Sequence, residues 1–201
     1  KWLIRTLGAT HHSSLELIMT QSVVITGAGG FVGNHLTKFL ARILPSELRI
    51  HGWSRRLPED FDKVHWTAVD ITDEAQVREE IQRLRPTAIF HLAASARSSH
   101  ALSEIAGLWR TNLVGTLNVA RALMDCAPDA WLLNVSSGMV FGASAGGAKL
   151  TERAEAAPVG AYASAKYAAE MTLQELGRQG LNFATARPFN HSGPGQSDDF
   201  F

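Results

Sequence analysis

A single cysteine, Cys126, stands in 201 residues. No disulfide can close within the chain, and no cysteine pair can ligate zinc. This usage fits a reducing compartment, so the expected location is the cytoplasm. Excess charge is absent as well: 19 Lys and Arg balance 19 Asp and Glu, with no basic run. Nucleic-acid binders need a basic footprint to displace counterions from phosphates, so that partner class is excluded. Long apolar runs are also lacking. The longest, such as Val23–Thr26, are strand-sized and fall far short of the roughly 20 residues that cross a bilayer, so no membrane span is expected. His11-His12 is too short for a metal site, and no metal centre is expected.

What remains is a chain with 45% apolar residues, enough for a soluble globular unit of one domain or little more. Residues 1–18 show no sustained periodicity and no secretory signal. They read as an extension ahead of a domain that runs over 19–201. From Ser22 onward, short β-branched runs alternate with segments carrying apolar residues at three- and four-residue intervals. Strands are expected at Val23–Thr26, Arg49–Trp53, Val64–Val69, Ala88–Ala93, Trp131–Ser136 and Asn182–Arg187. Helices are expected from Phe31 to just before Pro45, and over Asp73–Leu84, Leu108–Asp125 and Ala161–Gly177, with Asp73 capping the second. Continuously apolar strands in βαβ order predict the α/β class: a Rossmann-type, doubly wound parallel sheet with helices on both faces and a ligand at the strands' carboxyl ends. The Ala- and Gly-rich stretch Gly142–Pro158 is long for a connection in such a fold and reads as functional or mobile.

The first strand runs into Gly27-Ala28-Gly29-Gly30-Phe31-Val32-Gly33, and an amphipathic helix follows at once. Gly27, Gly30 and Gly33 are spaced to allow a tight turn, close approach to a pyrophosphate, and close packing of helix on strand. Free N–H groups at the helix start can then hold the anion. No Gly-Lys-Ser/Thr follows, which excludes a Walker-type site. After the second strand, Ser54-Arg55-Arg56 stands where a NAD-preferring site would place an acidic residue. Planar guanidinium groups suit a 2′-phosphate, so NADP is the expected cofactor, with NAD the alternative; the two arginines also read as ordinary surface cations. Asp70 and Ile71 close the third strand, where Asp70 could accept from an adenine amino group.

Tyr162 and Lys166 lie four residues apart on an expected helix, hence on one face. An ammonium about 4 to 6 Å from a phenol lowers its pKa and lets it exchange protons near neutrality. Ser137, just past the fifth strand, is placed to share a substrate oxygen. His91, inside an apolar strand, reads as a structural histidine. Trp109 and Trp131 read as core, and His191 is left open.

The order of glycine turn, Ser136-Ser137 at a strand end and Tyr162-Ala163-Ser164-Ala165-Lys166 resembles the extended short-chain dehydrogenase/reductases, the nucleotide-sugar epimerase, dehydratase and reductase group. The likeness covers Val23–Gln196 and includes His91-Leu92-Ala93-Ala94, Thr111-Asn112-Leu113-Val114-Gly115-Thr116 and Arg187-Pro188-Phe189-Asn190. The resemblance implies Ser137, Tyr162 and Lys166 as the catalytic triad, with Lys166 also on the nicotinamide ribose. Phe31, Val32, Leu92, Ala93, Ala94 and Pro188 would join the cofactor contacts. Asn112 would order the active-site helix, Gly138 and Asn190 would touch a nucleotide-sugar substrate, and the chain would form a homodimer through the helices carrying Asn112 and Tyr162. Relatives of this kind continue into a smaller substrate-binding region, of which this sequence holds only the beginning.

Within that family, 4,6-dehydratases carry two acidic residues after the Ser/Thr of the triad. Here Gly138 and Met139 stand there, and neither can move a proton. Phe141-Gly142 replaces the family's common Tyr-Gly. The segment Phe189–Gln196 most resembles GDP-4-keto-6-deoxy-D-mannose reductases, which implies reduction of a C4 ketone with NADPH. An NAD-dependent 4-epimerase and a non-catalytic dinucleotide-binding module are the alternatives.

Overall fold

The structure is a computed structural model that describes residues 21–57, 63–96, 101–145 and 150–196. The extension assigned to residues 1–18 lies outside the described residues. Six parallel strands form one sheet in the order β3-β2-β1-β4-β5-β6: β1 (Ser22–Thr26), β2 (Arg49–Ser54), β3 (Val64–Ala68), β4 (Ala88–His91), β5 (Trp131–Val135) and β6 (Phe183–Ala186). The chain steps outward from β1 to β3, then returns to the other side of β1. That reversal leaves a crevice above the carboxyl ends of β1 and β4, where open α/β sheets take their ligands.

Successive side chains of a strand point to opposite faces, and β1 uses both. Ile25 joins Ile50, Val64 and Leu40, the last from α1 (Phe31–Ile43). Val24 joins Ile89 and Leu132 under Val77 and Ile81 of α2 (Glu74–Leu84), Val119 and Leu123 of α4 (Gly115–Cys126), and Leu173 of α5 (Gly160–Arg178). Full burial of each such side chain contributes on the order of 2 kcal/mol. Helices therefore cover both faces, as the unbroken apolar strands predict.

Element boundaries differ from expectation where tertiary structure decides them. The helix expected from Leu108 begins earlier, as α3 (Leu102–Trp109). Leu102 is exposed, so no inward apolar spacing marks that start. A π-helical turn, Arg110–Val114, then joins α3 to α4. Asp73 caps α2 by accepting the Gln76 N–H at 3.0 Å, as expected. Trp109 and Trp131 are half-buried rather than core, and among the described residues Trp53 is the fully buried indole.

Candidate active site

β1 delivers Thr26 to the crevice, and the backbone turns at Gly27 with φ +68°, a conformation that favours glycine. The Gly30 N–H closes the turn on the Gly27 carbonyl at 2.9 Å. α1 then starts with Gly30 as a cap that has no side chain, so the first-turn N–H groups receive no side-chain acceptor. A Cβ on Gly33 would stand 2.2 Å from the Gly27 oxygen, and one on Gly27 would stand 2.7 Å from the Ala93 nitrogen. These bare backbones fit a pyrophosphate at a helix N-terminus.

The second strand's exit wraps the same turn. The Ala28 N–H donates to Trp53 O at 3.1 Å, and a Cβ on Gly29 would fall 2.6 Å from Ser54 Oγ. Arg55 and Arg56 follow, both exposed. Asp70 accepts from the Thr72 N–H and hydroxyl, each at 2.9 Å, and those bonds with the Arg55 and Arg110 charges hold its carboxyl below the usual range. Ile71, expected with Asp70 among the cofactor contacts, follows it directly. Its side chain is buried where a Cβ on Gly115 would meet it at 2.5 Å, and its carbonyl accepts from Asn118 Nδ2 at 3.0 Å, which leaves its backbone N–H as the group for such a contact. Phe31 is half-buried, Val32 is exposed, Leu92 packs against the core beside β1, Ala93 packs against the core just beyond β4, and Ala94 is exposed.

His91 ties these parts together. Thr116 gives its hydroxyl proton to Asn112 O (2.8 Å), so it accepts from His91 Nε2–H (3.0 Å). Thr26 Oγ accepts the Ala93 N–H (3.1 Å), and its own proton goes to His91 Nδ1 (2.8 Å). This neutral imidazole is a satisfied structural histidine, as expected, and it locks the glycine turn, β4's exit and the π turn in register. Burial and the Lys166 charge push its pKa down to about 3, and burial beside His65 lowers His51 to about 4. Both folded values lie below the unfolded value of about 6.5, so their stabilisation is complete above pH 6.5 and is lost as pH falls toward 4 and 3. Urea unfolding between pH 7 and 4 should therefore show stability falling by about 1.4 kcal/mol per pH unit for each histidine engaged. Constant stability across that range would contradict the assignment.

On the far side of the crevice, Ser137 is buried just past β5 and accepts the Met139 N–H at 3.2 Å. Its hydroxyl lies close enough to the half-buried Tyr162 phenol of α5 to act on its titration. Lys166, one turn along, is buried and donates from Nζ to Val135 O at 2.8 Å. Desolvation lowers it to about 8, against the raising field of Glu170. The lowered Tyr162 pKa expected from helical spacing is not what this arrangement produces. Burial pushes the phenol up, the nearby Ser137 hydroxyl pulls it partly back, and the ammonium is turned onto the strand carbonyl. Asn112, buried in the π turn, receives the Ser95 N–H (2.8 Å) and donates to Ser95 O (2.9 Å), fixing the chain beyond β4. π turns of this kind are frequent at functional sites.

The segment after β6 closes the site. Pro188 O accepts the Gly138 N–H at 2.7 Å, which puts Pro188 beside the Ser137 turn; Asn190 is exposed. His191 donates Nδ1–H to Phe189 O (2.9 Å) and stacks on Phe31, while His35 donates Nε2–H to Pro194 O at 2.9 Å, so this segment docks on the start of α1. The returning end of the long loop pins Val140, whose carbonyl accepts the Ala157 N–H at 3.0 Å. Sequence reasoning missed Thr26, Thr116, Glu170 and Arg187. Thr26 stands directly before the glycine turn, and Thr116 and Arg187 stand within the motifs of the family likeness, but none of the four was given a role; Glu170 carried no signal.

With this geometry in view, comparisons with known proteins point one way. Residues 23–200 match the NAD dependent epimerase/dehydratase family. The chain is 34% identical over 191 residues to GDP-6-deoxy-D-mannose reductase of Pseudomonas aeruginosa, covering 90% of this chain and 56% of that protein. The structure of RMD from Pseudomonas aeruginosa complexed with NADPH superposes with a TM-score of 0.71 at 32% identity, covering 90% of this chain and 57% of that one. Thermus thermophilus UDP-glucose 4-epimerase in complex with NAD gives a TM-score of 0.74 at 25% identity, over 83% of this chain and 54% of that one. The chain thus spans little more than half the length of these relatives. On the match over residues 23–200, this chain belongs to the NAD dependent epimerase/dehydratase family, the extended short-chain dehydrogenase/reductases.

Proposed function

We propose that this chain carries the cofactor site and catalytic side chains of an NADP(H)-dependent oxidoreductase that reduces the 4-keto group of a nucleotide-activated 6-deoxy sugar. The observation that carries this reading is the convergence of buried Ser137, half-buried Tyr162 and buried Lys166 past the end of β5, in a fold whose first glycine turn is uncapped. When bound, the nicotinamide supplies the hydride. The turn at Gly27, Gly30 and Gly33 holds its pyrophosphate by backbone N–H groups, while Ser54, Arg55, Arg56 and Asp70 take the adenosine end. Leu92, Ala93, Ala94 and Pro188 border the nicotinamide end. Ser137 donates to the ketone oxygen as negative charge develops there. Tyr162 gives that oxygen a proton, and Lys166 holds the ribose. Gly138 and Asn190 face the sugar.

The Tyr162 phenol, its pKa raised by burial, begins protonated and can donate to a ketone oxygen. A 4-epimerase must open with the opposite transfer, from sugar hydroxyl to phenolate. Gly138 and Met139 supply no proton carrier for dehydration. The exposed apolar residues Leu102, Val114 and Met171 on α3, the π turn and α5 support a homodimer through those helices.

Mixing the full-length protein with NADPH and GDP-4-keto-6-deoxy-D-mannose tests the proposal. Stoichiometric NADPH oxidation supports it. Interconversion of C4 epimers without net redox would replace it with the epimerase, and binding without turnover with a silent nucleotide-binding module. The arginines give an independent check. Arg55→Ala/Arg56→Ala should weaken NADPH binding by about 10- to 100-fold through lost charge-assisted bonds and leave NADH affinity nearly unchanged. Equal losses for both nucleotides would contradict their assignment.

A further inference from the structure

Glu170 lies one turn beyond Lys166 on α5 and is 2% exposed. Arg187, at the carboxyl end of β6, grips both its oxygens, with Nε at 3.2 and 3.1 Å and Nη2 at 2.6 Å. Burying such a pair is costly, and apolar residues of similar volume are often as stable, so its worth lies in what it holds. It holds two things. On one side, Glu170 is the carboxylate whose field reaches Lys166. On the other, Arg187 lies 4.8 Å over the Phe141 ring, and Phe141 stacks on Phe189 at 6.2 Å and 10°. Phe189 in turn fills the space a Cβ on Gly138 would need, at 2.9 Å, while Gly138 N–H binds Pro188 O. An unbroken line of contacts thus runs from the lysine's helix to the residue beside Ser137.

We propose that the Glu170–Arg187 ion pair is a positioning device for this site, in which the carboxylate stabilises the Lys166 ammonium and the guanidinium seats segment 188–190 against the Ser137–Gly138 turn. Neither residue touches the reacting atoms. The inference rests on reading Lys166 and Ser137 as working parts of the site. The groups facing Lys166 are Tyr162 and Glu170 on its own helix, neutral His91 from β4, the Val135 carbonyl from β5, and Arg187 behind Glu170 from β6. Tyr162 is protonated at neutral pH and His91 is uncharged, so removing the Glu170 charge leaves the ammonium without its compensating anion.

Two readouts need neither turnover nor substrate, so they separate failure of this inference from failure of the proposed activity. In full-length protein carrying 13C-labelled lysine, with the signal assigned through Lys166→Arg, Lys166 should titrate near 8. Glu170→Gln should lower that midpoint by about one unit. Glu170→Gln/Arg187→Met leaves no unpaired buried charge and serves if the single variant fails to fold. Its midpoint should also stay below the wild-type value. For the second arm, hydrogen exchange of the Gly138 amide in Arg187→Met should accelerate at least about tenfold beyond the change set by global stability. A wild-type midpoint in the double variant, or Gly138 exchange that only tracks global unfolding, would overturn the proposal.

Discussion

Tyr162→Phe should lower turnover by about 10²- to 10⁴-fold, the usual contribution of a positioned proton donor, while nucleotide binding persists. The change deletes one oxygen and keeps the ring that packs on α5. Ser137 retains the Met139 N–H at its Oγ, so the serine turn keeps its local support. Because the phenol is raised by burial, its removal relieves a desolvated polar group, and stability should shift by no more than about 1 kcal/mol. Single-turnover NADPH oxidation with saturating 4-keto sugar nucleotide, paired with a binding titration, separates the two effects. Turnover within a few-fold of wild type would remove Tyr162 from the proton path.

Gly33→Ala should produce the largest loss of nucleotide binding, on the order of 100-fold, together with about 1 to 3 kcal/mol of stability. The added methyl carbon would lie 2.2 Å from the Gly27 oxygen and 2.7 Å from Ala28 Cα. Both obstacles are backbone, so no rotamer change can relieve them. α1 must lift from β1, and the N–H groups of its first turn move away from the anion they are aimed at. Gly107→Ala is the control. Nothing lies within 4 Å of that Cβ, and the site is inside α3, so stability should hold or rise by up to about 1 kcal/mol. Isothermal titration with NADP+ and urea unfolding report both quantities. Unchanged nucleotide affinity in Gly33→Ala would mean the cradle lies elsewhere.

The parts of the protein readable from sequence are those in which one residue type answers one local demand. The β1–glycine–α1 unit is legible because the turn, the helix approach and the anion path each forbid a Cβ. Asp73 is legible because a cap acts over three residues. Strand positions are legible because buried parallel strands require continuous apolar runs.

What sequence reading missed is carried by contacts between distant residues. His91 meets Thr26 and Thr116 at separations of 65 and 25 residues, and no spacing rule joins them. Glu170 finds Arg187 on another element, and the π turn at Asn112 leaves no periodic trace. The sign of the Tyr162 shift is a similar case. Helical spacing correctly puts Lys166 on the phenol's face, but it does not reveal that burial dominates or that the ammonium turns to Val135 O.

The chain contains only two tyrosines, Tyr162 and Tyr167, so 13C ring labelling yields two signals that Tyr162→Phe assigns. Adding NADP+ to the labelled protein asks directly whether dinucleotide and phenol share one crevice. With the pyrophosphate on the Gly27–Gly33 turn and the nicotinamide by Lys166, the Tyr162 signal should shift in proportion to bound nucleotide, Tyr167 should move far less, and Gly33→Ala should abolish the response. A Tyr162 signal that stays fixed while equilibrium dialysis shows the nucleotide bound would contradict the shared site.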